Sequence, residues 1–212
     1  MYDSLVNLKQ FELPYISKWQ NIFTDNNLEW DKIWGAIHES ICDFKVQSSI
    51  WQMAHLNFIS AYFLKKVYNT DGKCKLCGKI EINRIHIFIE CEVIKHMYEY
   101  FHAFLNQLYN EPIDKLEMAF GTFKIKNDKI MLRNYLMFII RHVVFKSRNC
   151  QFTSTQMCKN ALVLKIKNFL KRDLESRFIM AKTTCKLELF EKKFLVDNIF
   201  GNLINETLFL NL

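Results

Sequence analysis

Glycine and proline are scarce in this sequence, which has 5 glycines and 2 prolines among its 212 residues. β-Sandwiches and barrels need many turns built from these residues, so the scarcity argues against an all-β protein. Half of the residues are hydrophobic and 15% are aromatic, which is enough apolar material for a folded core and argues against general disorder. The composition favours a helical protein of one or two domains.

Long hydrophobic runs are absent as well. The longest one, YLMFIIRHVVF at 135–145, is too short to span a bilayer and contains Arg141 and His142. Residues 1–20 lack the hydrophobic segment of a secretory signal. We therefore expect no membrane partner and an intracellular location. In such a chain the odd number of cysteines, seven, favours metal ligands or free buried thiols over disulfides.

Acidic residues are scarce in one part of the chain. Residues 1–110 carry 11 Lys and Arg against 12 Asp and Glu, whereas residues 111–212 carry 18 against 10. Within 121–186 the basic residues outnumber the acidic ones by 15 to 3. A polyanionic partner such as RNA or DNA would relieve the resulting self-repulsion. The alternative is a lysine-rich surface that reflects only an AT-rich coding sequence.

The spacing of apolar residues predicts a series of helices. They are expected over 28–40, 48–68, from 83 to the segment NEPID at 110–114, 128–147, 155–180 and 185–200. The candidate N-caps are Asp25 or Asn27, Ser48 or Ser49, Asn83, Asn127 or Asp128, and Ser154 or Thr155. Residues 69–73 form a turn, Pro112 ends the third helix and Gly201 ends the last. The β-branched run IHIFI would also suit a short strand.

One stretch, CKLCGKIEINRIHIFIEC, has the spacing Cys74-x2-Cys77-x8-His86-x4-Cys91. A Cys-x-x-Cys turn brings two sulfurs to one side of the backbone, and zinc prefers four such ligands in a tetrahedron. Gly78 follows the pair, where the backbone often needs a positive φ that glycine adopts without steric cost. The pattern predicts a structural zinc site.

Three other interpretations of the stretch stay open. They are a thioredoxin-like redox pair, which would need a βαβ context, a group of unrelated buried thiols, and a degenerate metal site. His96 and His102 are substitute ligands that lie further along the predicted helix. The remaining cysteines have no partner at ligand spacing and are interpreted as core or surface thiols: Cys42, Cys150, Cys158 and Cys185.

These patterns together predict a mainly α fold, in which a small Cys3His zinc-knuckle-like hairpin leads into a multi-helix bundle. We expect three parts. Residues 1–68 form a helical linker, residues 69–110 the zinc-binding hairpin and helix, and residues 111–212 a basic helical region.

The stretch and the EVIKHMYEYF that follows it resemble the zinc-binding region at the C-terminal end of LINE-type non-LTR retrotransposon reverse transcriptases. In that family a Cys-x2-Cys pair and a polar spacer precede a His that opens an apolar run ending in Cys, with an aromatic residue beyond. The ligand positions are occupied here by Cys74, Cys77, His86 and Cys91, and the aromatic position by Tyr98. The upstream segment ISKWQNIFTDNNLEWDKIWGAIHES is similar to the family's link from the polymerase thumb, so the resemblance covers roughly residues 14–105.

The resemblance implies a structural zinc ion and a nucleic-acid-binding role in target-primed reverse transcription. The partners it implies are RNA or DNA and the polymerase portion of the same polyprotein, in the nucleus and cytoplasm. The sequence offers two groups of basic residues for phosphate contacts. Lys73, Lys75, Lys79 and Arg84 surround the metal loop, and Lys159, Lys165, Lys167, Lys171, Arg172 and Arg177 follow the helix predicted over 155–180.

Catalytic motifs are missing. The sequence contains no Tyr-x-Asp-Asp motif of a polymerase palm, no endonuclease constellation, no nucleophile elbow and no glycine-rich phosphate loop. His55 and Cys42 are better interpreted as two core residues than as a base and nucleophile. Four protein ligands would also close the zinc site to a catalytic water. We expect a chain without enzymatic activity of its own.

A helical interaction or structural domain without nucleic-acid affinity is the alternative function. In that hypothesis the chain is the remnant of a decayed retroelement. Apolar residues near the N-terminus would then have faced a neighbouring domain: Phe11, Leu13, Tyr15 and Ile16.

Overall fold

The computed structural model describes residues 14–24, 28–40 and 43–212. These residues form ten α-helices and one β-hairpin, which confirms the mainly α fold. The helices are α1 (Pro14–Gln20), α2 (Trp30–Ser40), α3 (Phe44–Ala54), α4 (Ala61–Tyr68), α5 (Glu92–Tyr100), α6 (His102–Leu108), α7 (Lys115–Phe120), α8 (Asp128–Ser147), α9 (Thr155–Thr183) and α10 (Leu187–Phe194). A π-helix (His86–Glu90) precedes α5, a 3-10 turn (Val196–Asn198) follows α10, and β1 (Gly201–Ile204) pairs antiparallel with β2 (Thr207–Leu210).

Helix α8 is the centre of the bundle. It begins where the Asn127 side chain accepts a hydrogen bond from the Ile130 amide, and nearly every residue along it is buried. Helices α2, α3, α5, α6, α9 and α10 all pack against it. A helix that is apolar on all sides needs neighbours on all sides, which explains the run YLMFIIRHVVF. No helix among the described residues is both long enough and apolar enough to cross a bilayer.

Helix α9 has only one buried face. The Ser154 hydroxyl caps it by accepting from the Met157 amide. Its buried residues recur every fourth position over most of its length: Cys158, Leu162, Ile166, Leu170 and Leu174. This stripe packs against α8 and α5 and leaves the lysine-rich positions at the surface.

The helix predicted over 48–68 is two helices. Helix α3 begins earlier, because the Asp43 carboxylate accepts from the amides of Lys45 and Val46. Ser60 caps α4 by accepting from Phe63, and Leu56 between the helices has a φ of 52°. Ser49 is buried and is not a cap. The cap candidates Asp25 and Asn27, and the apolar residues Phe11 and Leu13, lie outside the described residues.

The continuous helix predicted from Asn83 is also interrupted. A helical segment does follow Asn83, whose side chain accepts from the amides of Ile85 and His86 in the turn before it, but the segment begins at His86 and Ile85 is its cap residue. That segment is the π-helix, not a strand, and it ends at Cys91, which is extended with ψ at 124°. Helices α5 and α6 then continue to Leu108.

The helix predicted over 185–200 is shorter than expected, and a β-hairpin that was not predicted follows it. Helix α10 ends at Phe194, and Gly201 opens β1 instead of capping a helix. A Cβ atom at Gly201 would lie 2.0 Å from the carbonyl oxygen of Phe209, so the close approach of the two strands requires glycine. Helix α7 was likewise not predicted, since its six residues are too few for a periodic pattern.

Core residues from all three expected parts of the chain lie in one cluster. Trp19 illustrates this, because its ring packs 5.5 Å from Phe88 and 4.8 Å from Phe120 between centroids. Its indole N–H also donates to the carbonyl oxygen of Ala54. The π-helix therefore lies on the main core and is held by helices from distant parts of the sequence.

Candidate metal centre

The first half of the centre is a tight hairpin. The amide of Cys74 donates to the carbonyl of Lys79, and the amide of Gly78 donates back to the carbonyl of Cys74, each at 2.8 Å. Gly78 has a φ of +73°, in agreement with the prediction for this position. Cys77 follows Cys74 within the same turn, so both sulfurs lie on its inner side.

The second half is built by the π-helix. His86 opens this segment, and the amide of Cys91 donates to the carbonyl of His86 at 2.7 Å, across five residues. The extended backbone at Cys91 then separates the π-helix from α5. This wide turn allows the imidazole of His86 and the thiol of Cys91 to face the hairpin together.

The four side chains converge on one point. One ligand atom from each of Cys74, Cys77, His86 and Cys91 lies within 4.8 Å of the others, and all four residues are buried. Sγ of Cys77 lies 3.3 Å from Nε2 of His86. Ligand atoms around a tetrahedral zinc ion lie roughly 3.5–3.8 Å apart, so a small contraction of this cluster would hold the ion. The cluster can therefore hold a metal ion with four protein ligands.

The side chains of the cluster shift one another's pKa values. Hydrogen bonds with Cys74 and Cys91 lower the pKa of the Cys77 thiol. Hydrogen bonds with Cys74 and Cys77 raise the pKa of Cys91 instead, and burial raises it further. Burial alone would lower the pKa of His86, but hydrogen bonds and charge from Cys74 and Cys77 raise it to about 10. A metal ion would displace the protons of these groups, so its affinity would fall in acid.

Two carboxylates flank the cluster. Oε2 of Glu90 lies 3.8 Å from Nδ1 of His86, the ring nitrogen that does not face Cys77. In metal sites a carboxylate orients such an imidazole by accepting its outer N–H, and the 3.8 Å separation here is longer than a hydrogen bond. Glu92, directly after Cys91, lies 3.0 Å from the Lys79 ammonium and 3.7 Å from that of Lys159. Neither carboxylate was predicted from the sequence, although the i, i+4 spacing of His86 and Glu90 indicates the first.

The substitute ligands do not belong to the cluster. His96 lies 3.9 Å from the Glu99 carboxylate, and His102 contacts Asn106. Of the other cysteines, Cys158 is buried, Cys150 is partly exposed and Cys185 is exposed. Cys42 lies outside the described residues. The βαβ unit that a thioredoxin-like pair needs is absent from the described parts of the chain.

Arg141 lies next to the π-helix that carries His86. Its guanidinium lies over the ring of Phe88, within the π-helix, at 5.7 Å, and over that of Phe138 at 5.8 Å. It is fully buried, and burial lowers its pKa to about 10. None of its nitrogens has a hydrogen-bond partner among the described residues. From the sequence alone, Arg141 was noted only as a charged residue that interrupts the apolar run YLMFIIRHVVF.

The four basic residues near the metal loop have different environments. Lys73 and Lys75 are exposed at the rim of a pocket of about 280 Å³, which Phe58 and Arg148 also line. Lys79 is paired with Glu92. Arg84 donates to the carbonyl of Leu56 at 2.9 Å and covers the ring of Phe63, so its contacts are within the fold.

The six basic residues of α9 lie on different sides of the helix. Lys165 and Arg172 line a trough against α8, whereas Lys167 lies over the ring of Tyr100 on the side facing α5. Lys159 approaches Glu92 beside the metal centre. The other two have carboxylate neighbours on the helix itself: Lys171 with Glu175 and Arg177 with Asp173.

The geometry thus supports a buried Cys3His centre that can hold a metal ion, and it leaves the identity of the ion open. The similarity to LINE-type reverse transcriptases depends on the residues quoted above. No protein-family model, curated protein or solved structure matches the chain.

Proposed function

We propose that this chain is a nucleic-acid-binding module that one structural zinc ion holds together, from the C-terminal region of a LINE-type reverse transcriptase. The observation that carries the proposal is the convergence of the Cys74, Cys77, His86 and Cys91 side chains. In the proposal the chain positions RNA or DNA beside the polymerase portion of its polyprotein, in the nucleus and cytoplasm. It performs no catalysis of its own.

The donor set favours zinc. Three thiolates and one imidazole suit a borderline-soft ion with tetrahedral geometry, whereas magnesium and calcium prefer oxygen ligands. All four ligands are protein side chains, and Cys91 is completely buried. No position is left for water or substrate, so the ion would supply cross-linking and no Lewis-acid chemistry.

The surface near the centre favours a polyanionic ligand. Lys73 and Lys75 are exposed, and the pocket beside them has an apolar lining with Phe58 and the Arg148 guanidinium in its wall. A cationic rim can contact phosphates while an apolar pocket accepts an unpaired base. Residues 121–186 add further basic side chains, although Arg133 and Arg141 in this range are buried.

The test is metal analysis together with nucleic-acid binding on the purified full chain. We expect one zinc per chain in the wild type and less than half of that in Cys77→Ser. Cys185→Ser is the matched control, because Cys185 is exposed and outside the cluster. Single-stranded RNA and DNA should bind the wild type, with an affinity that falls steeply as salt rises.

A chain that contains no zinc, or the same zinc content in Cys77→Ser, would contradict the metal assignment. Binding that does not depend on salt, or no binding, would contradict the nucleic-acid role.

A protein-interaction domain is the second candidate function. Helix α3 exposes two large aromatic side chains, Phe44 and Trp51, at 79% and 48% of their surface. Apolar exposure of this kind is typical of a surface that meets another protein. Stable zinc content without affinity for RNA or DNA would favour this function.

A further inference from the structure

A second charged feature lies away from the metal centre, between the C-terminal half of α8 and the middle of α9. It is an open trough of about 690 Å³. Residues between His142 and Cys150 form one wall, and residues between Lys165 and Ser176 form the other. Asp43 lies at the side. None of the four metal-cluster residues lines it.

Three cations face this trough: Lys146, Lys165 and Arg172. Lys165 donates to the Ser147 hydroxyl at 3.3 Å, a neutral partner. Within the described parts of the chain, none of the three lies within ion-pair distance of a carboxylate. By contrast, Lys79, Lys159 and Lys171 each have one. Three like charges around one trough repel one another unless an anion lies between them.

The two carboxylates that line the trough are engaged elsewhere. Asp43 accepts hydrogen bonds from the amides at the start of α3. Asp173 accepts from the Tyr135 hydroxyl and forms a two-point contact with Arg177, whose Nε lies 2.6 Å from Oδ2. The charge of Asp173 is therefore balanced by Arg177, whereas Asp43 keeps its charge at the side of the trough, where the three cations outnumber it.

The imidazole in the wall is neutral. The Ser49 hydroxyl donates to the carbonyl of Lys45, so it accepts from Nδ1 of His142 at 2.9 Å. Burial, together with the charge of Lys146, lowers the pKa of His142 to about 4. His142 therefore contributes no charge near pH 7, and the trough owes its positive potential to the two lysines and Arg172.

The length of the trough indicates the kind of anion. Lys165 and Ser176 both line it, and they lie about 16 Å apart along the helix axis. Asn168 and Ser176 add neutral polar groups between and beyond the cations. An open channel with spaced cations and neutral donors fits an extended chain of phosphates better than a single small ion.

We propose that this trough between α8 and α9 binds the phosphodiester backbone of single-stranded nucleic acid through Lys146, Lys165 and Arg172. This inference rests on the proposed nucleic-acid-binding function and assigns its backbone contacts to a defined surface. Phosphate contacts of this kind give affinity with little sequence preference. The trough and the metal centre are then separate contact regions on one chain.

The test compares two double variants that each remove two positive charges. Lys165→Gln with Arg172→Gln removes two cations from the trough. Lys186→Gln with Lys193→Gln removes two exposed cations elsewhere, and neither of these residues lies in the trough or the metal centre. Fluorescence anisotropy with a labelled single-stranded oligonucleotide measures Kd over a series of salt concentrations, and circular dichroism checks that each variant is folded.

The trough variant should lose about two phosphate contacts. For single strands this lowers the slope of log K against log salt by about 1.4 and weakens binding about 25-fold near 0.1 M salt. The Lys186 and Lys193 variant should show less than half of that change in slope. Inorganic phosphate, added at constant ionic strength, should not displace the oligonucleotide from the wild type.

Four results would overturn the inference. Equal losses in the two double variants would assign the effect to net charge. Normal binding by the trough variant would show that the trough is not the binding surface and would leave the proposed nucleic-acid-binding function intact. A wild type that binds no nucleic acid would contradict both the trough assignment and the proposed function. Displacement by inorganic phosphate would assign the trough to the free ion.

Discussion

Two buried arginines on α8, Arg133 and Arg141, have very different partners for their guanidinium groups. Arg133 is fully buried, but its guanidinium lies 3.4 Å from the Glu117 carboxylate and donates to the carbonyl of Glu111. Arg141, two turns later, is also buried, but its guanidinium lies over two aromatic rings and has no hydrogen-bond partner among the described residues. A buried charge without a partner lowers the stability of the fold. In a buried ion pair, stability falls most when one member is removed and the other stays buried with its charge unpaired.

A residue-scale prediction follows from that contrast. Arg141→Met should leave the free energy of unfolding unchanged or raise it by about 1–4 kcal/mol, because the unpaired charge is removed and the side-chain length is kept. Arg133→Met should lower it by about 3 kcal/mol, because Glu117 remains partly buried without its cation. Urea unfolding of both variants measures the difference, and a larger loss for Arg141→Met would contradict it.

At the scale of elements, the metal centre depends on two short segments with unusual backbones. The hairpin turns at Gly78, where φ is +73°, and the π-helix ends at the extended residue Cys91. A regular α-helix through His86 and Cys91 would continue into α5 without the extended break. The site therefore depends on local departures from the helical pattern that the rest of the chain follows.

Glycine substitutions give a prediction at this scale. Gly201→Ala should destabilise the chain by more than about 2 kcal/mol, because the new Cβ would lie 2.0 Å from the carbonyl oxygen of Phe209 and would separate β1 from β2. Gly35→Ala is the matched change inside α2, where no atom lies within 4 Å of the new Cβ. It should stabilise the helix by up to about 1 kcal/mol.

Thermal unfolding of the two glycine variants checks this prediction. If the melting temperature falls equally in both variants, the close approach of Gly201 to Phe209 is not the cause of the destabilisation.

For the whole molecule, the metal ligands and the helical bundle share one core. Cys74, Cys77 and Cys91 belong to the same buried cluster as Trp19, on α1, and Leu174, on α9. Helix α9 also reaches the centre through Lys159 and Glu92. Loss of the ion should therefore be felt beyond the hairpin, by the bundle as a whole.

Chelation tests this coupling. Removal of the proposed zinc ion with phenanthroline should lower the melting temperature of the entire chain, measured by the helical circular dichroism signal. A loss of even about 4 kcal/mol corresponds to roughly 8–16 °C for a chain of this size. Cys77→Ser should melt at the lower temperature already and should not respond to the chelator. Unchanged melting of the wild type would show that the bundle is independent of the centre.

The members of the Cys3His cluster were predictable, because they all lie between Cys74 and Cys91 and their spacing is set by local backbone geometry. The same holds for α8 and for the start of α9, whose caps Asn127 and Ser154 precede long periodic stretches. The β-hairpin formed by β1 and β2 was not predictable, and neither was helix α7, since short elements depend on distant partners for their stability. The three-part division of the chain stays a prediction.

The sequence by itself determined the helical class, the ligand set and the excess of basic charge, because composition and short-range spacing contain this information. Only the tertiary structure decided which basic side chains lack a carboxylate partner among the described residues and which of them lie around one trough. Lys159 acquires Glu92 as a neighbour 67 positions away, and His142 acquires Ser49 across 93. Contacts between residues so far apart depend on how the helices pack, and no local pattern specifies that packing.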